Sequence, residues 1–565
     1  MKSVQEKHDE LNGWLSSHSE TAMLVILFIA LIIRIVGLGS LPFTVAESKA
    51  AVEAAGWTGA GLETSGVPPV YLGLTGILFK IFHPANWLAR FWPMIFGLLL
   101  VAWPFSQRQR FGNLTALVIS LMLAIDPALV HFSRTALTPM FLLASVLWGW
   151  TFWEKKQFSW LGLAFAVFWL SGAYVIGFVI TGLLTLLIAG LLKKDLKLKN
   201  RLAALLFKNK ELMFKQGLPV FLGAMFVFGS RFFADPAGFG NLGASLPAWV
   251  EQIKGPIFSS PQQPLFLVLV YALPVFVLML LFGEWAADLS LWVWTLVSLV
   301  LFFMLGAQDS GWFVFLNMPI YISMAMTAKV EGRWKNIGKV SLMTAALLLT
   351  LLAFFGLNVK HILAIGIQPN VTNLLVLAAG FFLLLVALFL ISYGWGIKTS
   401  TQALRIAATL TVFIILGMLS GQTAFAPGNQ ARLEWVNSPI FSPDSQLTAL
   451  IQTYEEKGFF SQLELQWESE LQENAPAVWA LKTPVNSFAG RPTQVMISAN
   501  ETLSNPETAF RGMRLRQAEW IEWSALPARR LFRAVLDHQL PVQNSAMTFW
   551  IRTDSFKGLN NDNQP

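Results

Sequence analysis

Long apolar runs separated by short polar breaks occupy most of the chain. They lie at approximately 21–38, 88–106, 113–130, 137–153, 158–173, 175–192, 217–231, 264–283, 288–306, 310–328, 339–357, 371–394 and 402–421. A membrane-spanning helix needs about 20 predominantly apolar residues, and a typical range is about 17–25. The pattern therefore predicts an all-α polytopic membrane bundle of about 13 transmembrane helices over residues 21–421.

The first long interruption of this pattern is the polar segment 39–90, directly after the first apolar run. It contains Glu47, Glu53, Glu63, the Pro68-Pro69 pair, His83 and Arg90. Pro and Gly punctuate it, which is typical of a loop. We expect a large loop here and any chemistry to take place beneath it. Arg34, near the end of the preceding run, either extends to the membrane interface or pairs with a loop carboxylate.

Basic residues concentrate on one side of the predicted bundle. The breaks on that side hold Arg108, Arg110, Lys155, Lys156, the run from Lys193 to Lys215, Lys329, Arg333, Lys335, Lys339, Lys398 and Arg405. Cytoplasmic loops carry such an excess, so the polar segment 1–20 is predicted inside and the C-terminus outside. The first run lacks a small-residue cleavage site and reads as a retained helix. We expect a multi-pass protein of the plasma membrane.

Two further segments fall on the predicted outer side. Residues 131–139 contain His131 and Arg134, and the outer loop 231–263 contains Asp235 and Glu251. Asp309 lies in a short outer break. On the inner side, the basic segment 193–215 has Leu and Phe at helical spacing, which favours attachment to anionic lipid rather than to nucleic acid.

The composition changes after residue 421. Residues 422–565 contain no apolar run of membrane length and predict a small extracytoplasmic α/β domain. LELQW, AVWAL, TQVMIS and MTFWIR are predicted strands, and residues 445–458 and 525–538 are predicted helices. The Trp residues of this part are expected to pack in its core rather than to stack on sugars.

The overall composition supports a membrane protein. Hydrophobic residues make up 55% of the chain and charged residues only 13%, whereas soluble domains carry about 25% charged residues. There is no Cys, so disulfides, thiolate metal sites and a Cys nucleophile are excluded.

Several short motifs along the chain resemble one family. After the loop 39–90, a helix opens with Ala89, Arg90, Phe91, Pro93 and Gly97, and RQRFG (108–112) and DPALVHFSRTA (126–136) follow. FFADPAGFGNLGASLPAWV in the second outer loop and VWALKTP (478–484) add to the series. In this order they resemble the GT-C glycosyltransferase superfamily, which includes protein O-mannosyltransferases (the family-39-like enzymes) and aminoarabinose transferases.

The resemblance implies a transfer of sugar from a polyprenyl-phosphate donor at the outer leaflet. It makes Glu47 the general base. It assigns substrate or phosphate contacts to Arg90, Arg134, His83, His131, Asp235 and Glu251. The expected partners are the donor lipid and other membrane lipids, with protein partners open. No cofactor is identified, no metal-ligand spacing stands out, and a divalent cation is left open.

The chain also departs from the family pattern. The first loop of the family has an Asp-Glu pair where this chain has Ala46 and Glu47, and AQDSGW (307–312) lacks the family's Lys and Pro. Arg134 is followed by TALTP rather than by an acidic residue.

Three readings of the whole chain follow. In the first, the chain is an active membrane glycosyltransferase in which Glu47 has taken over the role of the base. In the second, it is a catalytically inactive scaffold or subunit that binds a polyprenyl lipid or a partner protein. The third hypothesis is a transporter. The sequence argues against it, because it shows no paired interrupted helices. For single residues, Glu47 could instead cap a helix, Arg134 could extend to the interface, and Asp126 is expected to be structural.

Overall fold

The chain is predominantly helical. The computed structural model describes residues 18–56, 66–193, 210–233, 238–254, 261–282, 289–305, 309–327, 339–365, 371–425, 433–436, 440–441, 465–467, 479, 495–498, 510–537 and 540–552. The predicted cytoplasmic segment 1–20 lies almost wholly outside this set, as do Asp235 and the predicted helix 445–458.

The helices before residue 255 are α1 Ser19–Ile35, α2 Val45–Ala55, α3 Pro69–Ile81, α4 Asn86–Ala89, α5 Phe91–Ser106, α6 Arg108–Phe111, α7 Asn113–Ile125, α8 Pro127–Ser133, α9 Pro139–Glu154, α10 Phe158–Trp169, α11 Ala173–Lys193, α12 Leu218–Gly229 and α13 Gly238–Lys254. A short turn of helix, Lys210–Leu212, and a π-helical turn, Met213–Gly217, lead into α12.

The later helices are α14 Gln262–Leu267, α15 Leu273–Phe282, α16 Leu289–Leu305, α17 Phe313–Thr327, α18 Lys339–Ile365, α19 Val371–Trp395, α20 Ile397–Phe425 and α21 Ala528–Asp537. A π-helical turn, Val268–Ala272, joins α14 to α15, and a 3-10 turn, Ser310–Trp312, precedes α17. A further 3-10 turn is Trp523–Ala525.

Each of the apolar runs predicted to span the membrane coincides with one of these helices or with a continuous helical run, except 113–130, which is divided between α7 and α8. By length and composition, four helices of the described part could cross a membrane: Ala173–Leu192, Val340–Leu357, Ala378–Trp395 and Ile397–Phe425. The number rises to five if α7 and α8, which meet at a 60° bend, form one span. The other apolar helices are shorter, so the total of about 13 spans and their orientation stay predictions.

The segment 39–90 is not the open loop that its composition suggested. Most of its described residues are helical, in α2, α3 and α4. Thr44 and Glu47 form a capping box that starts α2, and Pro69 occupies the first turn of α3, where its missing N–H costs no hydrogen bond. The second predicted outer loop, 231–263, likewise contains the 17-residue helix α13.

Apolar side chains on the outside of the helices account for much of the surface. Leu357, Phe389 and Tyr393 of α18 and α19 are more than two thirds exposed. A helix that is apolar on its outer as well as its inner face requires a lipid environment. This observation supports a membrane-embedded protein.

The described C-terminal part forms a five-stranded sheet with one helix. The strands are β1 Ile440–Phe441, β2 Leu465–Trp467, β3 Val495–Ser498, β4 Phe510–Ile521 and β5 Val542–Arg552, in the order β1-β4-β5-β3-β2. β2 and β3 are parallel and the other neighbours antiparallel. At the sheet's edge Ile440 pairs with Thr44, so the sheet reaches the start of α2.

The predicted strands were partly right. LELQW, TQVMIS and MTFWIR overlap β2, β3 and β5, and α21 lies within the predicted helix 525–538. The prediction was wrong at Trp479 of AVWAL, which is helical, and it missed β4. The predicted domain boundary falls inside α20, which continues to Phe425.

Two Trp residues expected to pack inside the C-terminal domain instead pack against the helical part. Trp435, with no exposed surface, stacks on His131 at 5.2 Å between ring centroids and lies 4.5 Å from Tyr271. Trp479 stacks on Phe43 at 5.2 Å, and its indole N–H donates to Asn86 Oδ1 at 2.8 Å. The C-terminal part is therefore anchored on the helices.

Candidate functional site

Glu47 lies at the start of α2 and is completely buried. Its Oε2 accepts the backbone N–H of Thr44 at 3.0 Å, which closes the capping box. Its Oε1 accepts Arg90 Nε and the N–H of Ala136, each at 2.9 Å. One carboxylate thus joins the loop before α2, the start of α5 and the segment after α8. The base role stays a prediction; the contacts shown are those of a structural carboxylate.

Arg90 is also completely buried, immediately before α5. Besides Glu47, it donates from its guanidinium to the carbonyls of Leu38, Leu41 and Pro42, at 2.8–3.0 Å. A planar guanidinium can satisfy several carbonyls of a tight turn at once. Arg90 therefore fixes the chain between α1 and α2 instead of presenting its charge to a cavity.

Arg134, 2% exposed after α8, makes the same kind of contact. It donates to the carbonyls of Ile33, Arg34 and Val36 at the end of α1, and to Ala424 O near the end of α20. Terminal helix carbonyls lack partners within the helix and carry partial negative charge, so a cation there is favourable. Arg134 ties the ends of two helices together.

Arg34 follows neither of the two alternatives that its position left open. It is completely buried within α1 and donates to Ala30 O, Ala124 O and Leu123 O. The last two carbonyls terminate α7, just before the bend at Asp126. Asp126, as expected, has structural contacts: it caps α8 through Leu129 N and accepts Asn317 and Tyr321 of α17.

The three remaining predicted residues that the structure describes lie in different surroundings. His131 is buried against Trp435, whereas His83 is exposed in the turn before α4. Glu251 is exposed on α13. Asp235 lies outside the described residues.

A cavity of about 250 Å³ opens beside α2, on a different face from Glu47. Its lining residues are Ala46, Lys49, Ala50, Gly66, Val67, Pro68, Tyr71, Ala136, Leu137, Thr138, Ala173, Tyr174, Ala248 and Asp309. Ala46, Lys49 and Ala50 are three and four residues apart and so share one face of the helix. From the order of the sequence motifs, Ala46 is predicted to stand where the family has the Asp of its Asp-Glu pair.

The cavity's charged groups come from distant parts of the chain. Lys49 is exposed on α2, and Asp309 lies between α16 and the 3-10 turn that precedes α17. Asp309 Oδ2 accepts Tyr174 Oη at 2.5 Å, and its Oδ1 accepts Gly311 N at 2.8 Å. Burial raises the pKa of the Asp309 carboxyl, and these two hydrogen bonds counteract part of that rise.

Gly311 has no room for a side chain. A Cβ there would lie 2.3 Å from Tyr174 Oη and 2.9 Å from Asp309 Oδ1. Because Gly311 has no side chain, the backbone of the DSG segment of AQDSGW can approach the Asp309–Tyr174 pair closely. The segment DSG thus packs its backbone directly against the Asp309–Tyr174 pair.

The sequence predicted Asp309 in an outer break but named none of Lys49, Tyr174 and Asp309 as a candidate site residue. Ala46 and Lys49 are three residues apart and would share one face of a helix. This spacing was not used, because the segment 39–90 was predicted to be a loop. Tyr174, at the start of α11, gave no local signal. No group of three or more His, Asp or Glu suited to a metal occurs within the described ranges.

No protein-family model and no curated protein matches the sequence. Among solved structures, the chain is similar to ArnT from Cupriavidus metallidurans bound to undecaprenyl phosphate, with 17% identity, a TM-score of 0.46, and 82% of this chain and 85% of that chain covered. For ArnT in the apo state the values are 16%, 0.41, 84% and 86%. ArnT is an aminoarabinose transferase, one of the GT-C glycosyltransferases that the sequence motifs resemble. A likeness of this degree assigns no residue role and no activity.

Proposed function

We propose that this chain is an integral-membrane glycosyltransferase that uses a polyprenyl-phosphate-linked sugar as donor, at the cavity beside α2. The observation that carries the proposal is that a cation, Lys49, and a carboxylate, Asp309, line one cavity next to the position of the family's missing Asp. The order of motifs along the chain supports the same reaction class. We place the site on the outer side of the plasma membrane.

In this proposal Lys49 contacts the phosphate of the donor and Asp309 accepts a proton from the acceptor hydroxyl. The hydroxyl oxygen forms a bond to the anomeric carbon, and the bond from that carbon to the phosphate oxygen breaks. The polyprenyl phosphate leaves with the bonding electron pair, and a nearby ammonium group stabilises the charge that develops on it. A carboxyl whose pKa is raised towards the working pH is well suited to take the proton.

Glu47, Arg90 and Arg134 are positioning residues in this scheme. Glu47 and Arg90 hold the start of α2 and therefore the direction in which Lys49 projects. The bond from Ala136 N to Glu47 places Ala136, a lining residue, against the same helix. Together they hold the cavity's shape without themselves contacting the donor.

One observation favours a second function, that of an inactive scaffold binding a polyprenyl lipid. Ala46 cannot act as a base, and the bonds to Glu47 from Arg90, Ala136 and Thr44 engage both of its carboxylate oxygens. Both oxygens of Asp309 likewise accept hydrogen bonds, from Tyr174 and Gly311, and if Asp309 does not take the proton the cavity retains Lys49 for the phosphate but has no catalytic base. Binding without turnover is the expected behaviour of that protein.

Turnover and binding of the donor lipid separate the two functions. The full-length chain in liposomes is supplied with polyprenyl phosphates carrying different sugars, and release of polyprenyl phosphate is measured. Lys49→Gln should weaken binding, and Asp309→Asn should abolish turnover while binding persists. Lys80→Gln and Glu522→Gln, on exposed residues that do not line the cavity, are the matched controls.

Each outcome distinguishes a function. Binding of polyprenyl phosphate that depends on Lys49, with no turnover of any donor by the wild-type chain, would assign the scaffold. Failure of the wild-type chain to bind polyprenyl phosphate at all would overturn both functions.

A further inference from the structure

A second, wholly apolar cavity lies away from the candidate site. It has a volume of about 410 Å³ and is formed where α10 packs beside the π-helical turn Met213–Gly217 and the start of α12. It is lined by Trp153, Leu161, Gly162, Phe165, Met213, Phe214, Gly217, Leu218 and Phe221. Its volume is within the range of about 300–1,000 Å³ that is usual for ligand sites.

The backbones of α10 and the π-helical turn approach each other closely beside this cavity. A Cβ on Gly162 would lie 2.2 Å from Gly217 O, and a Cβ on Gly217 would lie 3.1 Å from Phe158 O. At its mouth, Phe165 and Phe214 are each about half exposed, at 48% and 51%. An apolar cavity with an apolar mouth is suited to a hydrocarbon chain and offers no hydrogen bond to a polar ligand.

Three lysines lie at the same end of these helices. Lys155 and Lys156 form the turn from α9 to α10, two and three residues after Trp153, and Lys215 lies in the π-helical turn between Phe214 and Gly217. All three are exposed, and within the described ranges no ion pair involves them. Of the acids beside them, Glu154 is paired with Arg110 at 2.6 Å, and Glu211, four residues before Lys215, leaves one negative charge against three positive ones.

We propose that this cavity and its lysines form a binding site for one anionic glycerophospholipid. An acyl chain occupies the apolar cavity, and Lys155, Lys156 and Lys215 contact the phosphate and the anionic headgroup. The charge distribution of the sequence assigns this end of the helices to the cytoplasmic side, where anionic lipid attracts basic groups. The site is independent of the candidate glycosyltransferase site.

Native mass spectrometry of the full chain tests the proposal, with phosphatidylglycerol as probe and phosphatidylcholine as its neutral counterpart. The wild-type chain should retain one phosphatidylglycerol in preference to phosphatidylcholine. The triple variant Lys155→Gln, Lys156→Gln, Lys215→Gln should lose affinity on the order of tenfold or more, because each basic residue adds to attraction by anionic lipid. The triple variant Lys80→Gln, Lys398→Gln, Arg405→Gln changes the net charge equally at other exposed positions and should retain binding.

A second variant tests the cavity itself. Leu161→Trp adds volume inside the lining and should displace the lipid while all the lysines remain. Thermal unfolding checks that each variant is folded. Equal retention of the two lipids by the wild-type chain, or unchanged retention of phosphatidylglycerol in both the Lys triple variant and Leu161→Trp, would overturn the proposal.

Discussion

Arg90 donates its Nε to Glu47 Oε1 at 2.9 Å, and both side chains are completely buried. Two charges can be removed from solvent in this way only if each finds compensating partners. Here the remaining guanidinium N–H groups bond to the carbonyls of residues 38, 41 and 42, and the remaining carboxylate oxygen bonds to Thr44 N. The pair therefore determines how the chain passes from α1 into α2.

Replacing Glu47 with Gln should destabilise the protein more than it affects chemistry directly. The substitution leaves the Arg90 charge buried without its counter-charge, and removing one partner of a buried pair costs about 3–5 kcal/mol. Thermal unfolding in detergent measures the loss. Glu251→Gln, an exposed carboxylate on α13, should leave the unfolding temperature nearly unchanged. A Glu47→Gln protein of wild-type stability that has lost turnover would instead identify Glu47 as the base.

Gly311→Ala should disrupt the candidate site while the helices stay intact. The new methyl group would lie 2.3 Å from Tyr174 Oη, so the Asp309–Tyr174 hydrogen bond must lengthen or break. We expect turnover, or lipid binding if the chain is a scaffold, to fall on the order of tenfold or more, since an ångström-scale displacement of a catalytic group has effects of that size. Gly182→Ala, with nothing within 4 Å, is the control. Unchanged binding and turnover in Gly311→Ala would remove the pair from the site.

The stability of the protein should depend on pH through Asp309. Burial raises the pKa of this carboxyl above its ordinary value of 3.8, so the folded state holds the proton more tightly than the unfolded state. The resulting stabilisation is complete below the unfolded pKa and is lost as pH rises through the raised folded pKa.

The stability difference between wild type and Asp309→Asn reports this dependence. The stability of the wild type relative to Asp309→Asn should decrease as the pH rises from about 4, the pKa of an Asp in the unfolded chain, to neutral pH. Denaturation midpoints measured across that range give the difference. A difference that stays constant with pH would show that Asp309 has the same pKa in both states.

Much of the helical framework could be predicted because each apolar run is long enough to indicate a helix without any tertiary information. The exceptions are α13, within the second predicted outer loop, and α2 and α3, which were predicted as a loop because the segment 39–90 is rich in Gly, Pro and charged residues. Thr44 and Glu47, spaced as a capping box, were the local signal for α2. Buried small residues such as Ala50 and Ala51 let that helix pack closely, and the periodicity of apolar residues does not reveal such a helix.

The candidate site was less predictable than the framework. Lys49, Tyr174 and Asp309 are separated by more than a hundred residues from one to the next and meet only in the folded chain. The family resemblance implied that Arg90 and Arg134 bind substrate or phosphate, a role for which guanidinium groups are chemically suited. Their actual partners are carbonyls at helix ends and in a tight turn, which leave no trace in the sequence. The family resemblance drew attention to the segment 39–90, three of whose helical residues, Ala46, Lys49 and Ala50, line the cavity, but it named neither Lys49 nor Tyr174.

Trp435→Ala should loosen the attachment of the C-terminal part to the helices. The indole is completely buried among His131, Phe132, Tyr271 and Phe313, so its removal leaves a cavity and should cost about 3–5 kcal/mol. The neighbouring bond from Tyr271 Oη to Glu434 Oε2, at 2.6 Å, is expected to weaken with it.

Limited proteolysis measures this attachment. The C-terminal part should be cleaved faster in Trp435→Ala than in the wild-type chain, whereas Trp395→Ala, on an exposed residue of α19, should leave the rate unchanged. Because Thr44 pairs with Ile440 at the sheet's edge, loosening should also reach the start of α2 and reduce ligand binding at Lys49. Faster cleavage with unchanged binding would show that the sheet and the cavity are energetically independent, and an unchanged cleavage rate would show that Trp435 is not the anchor.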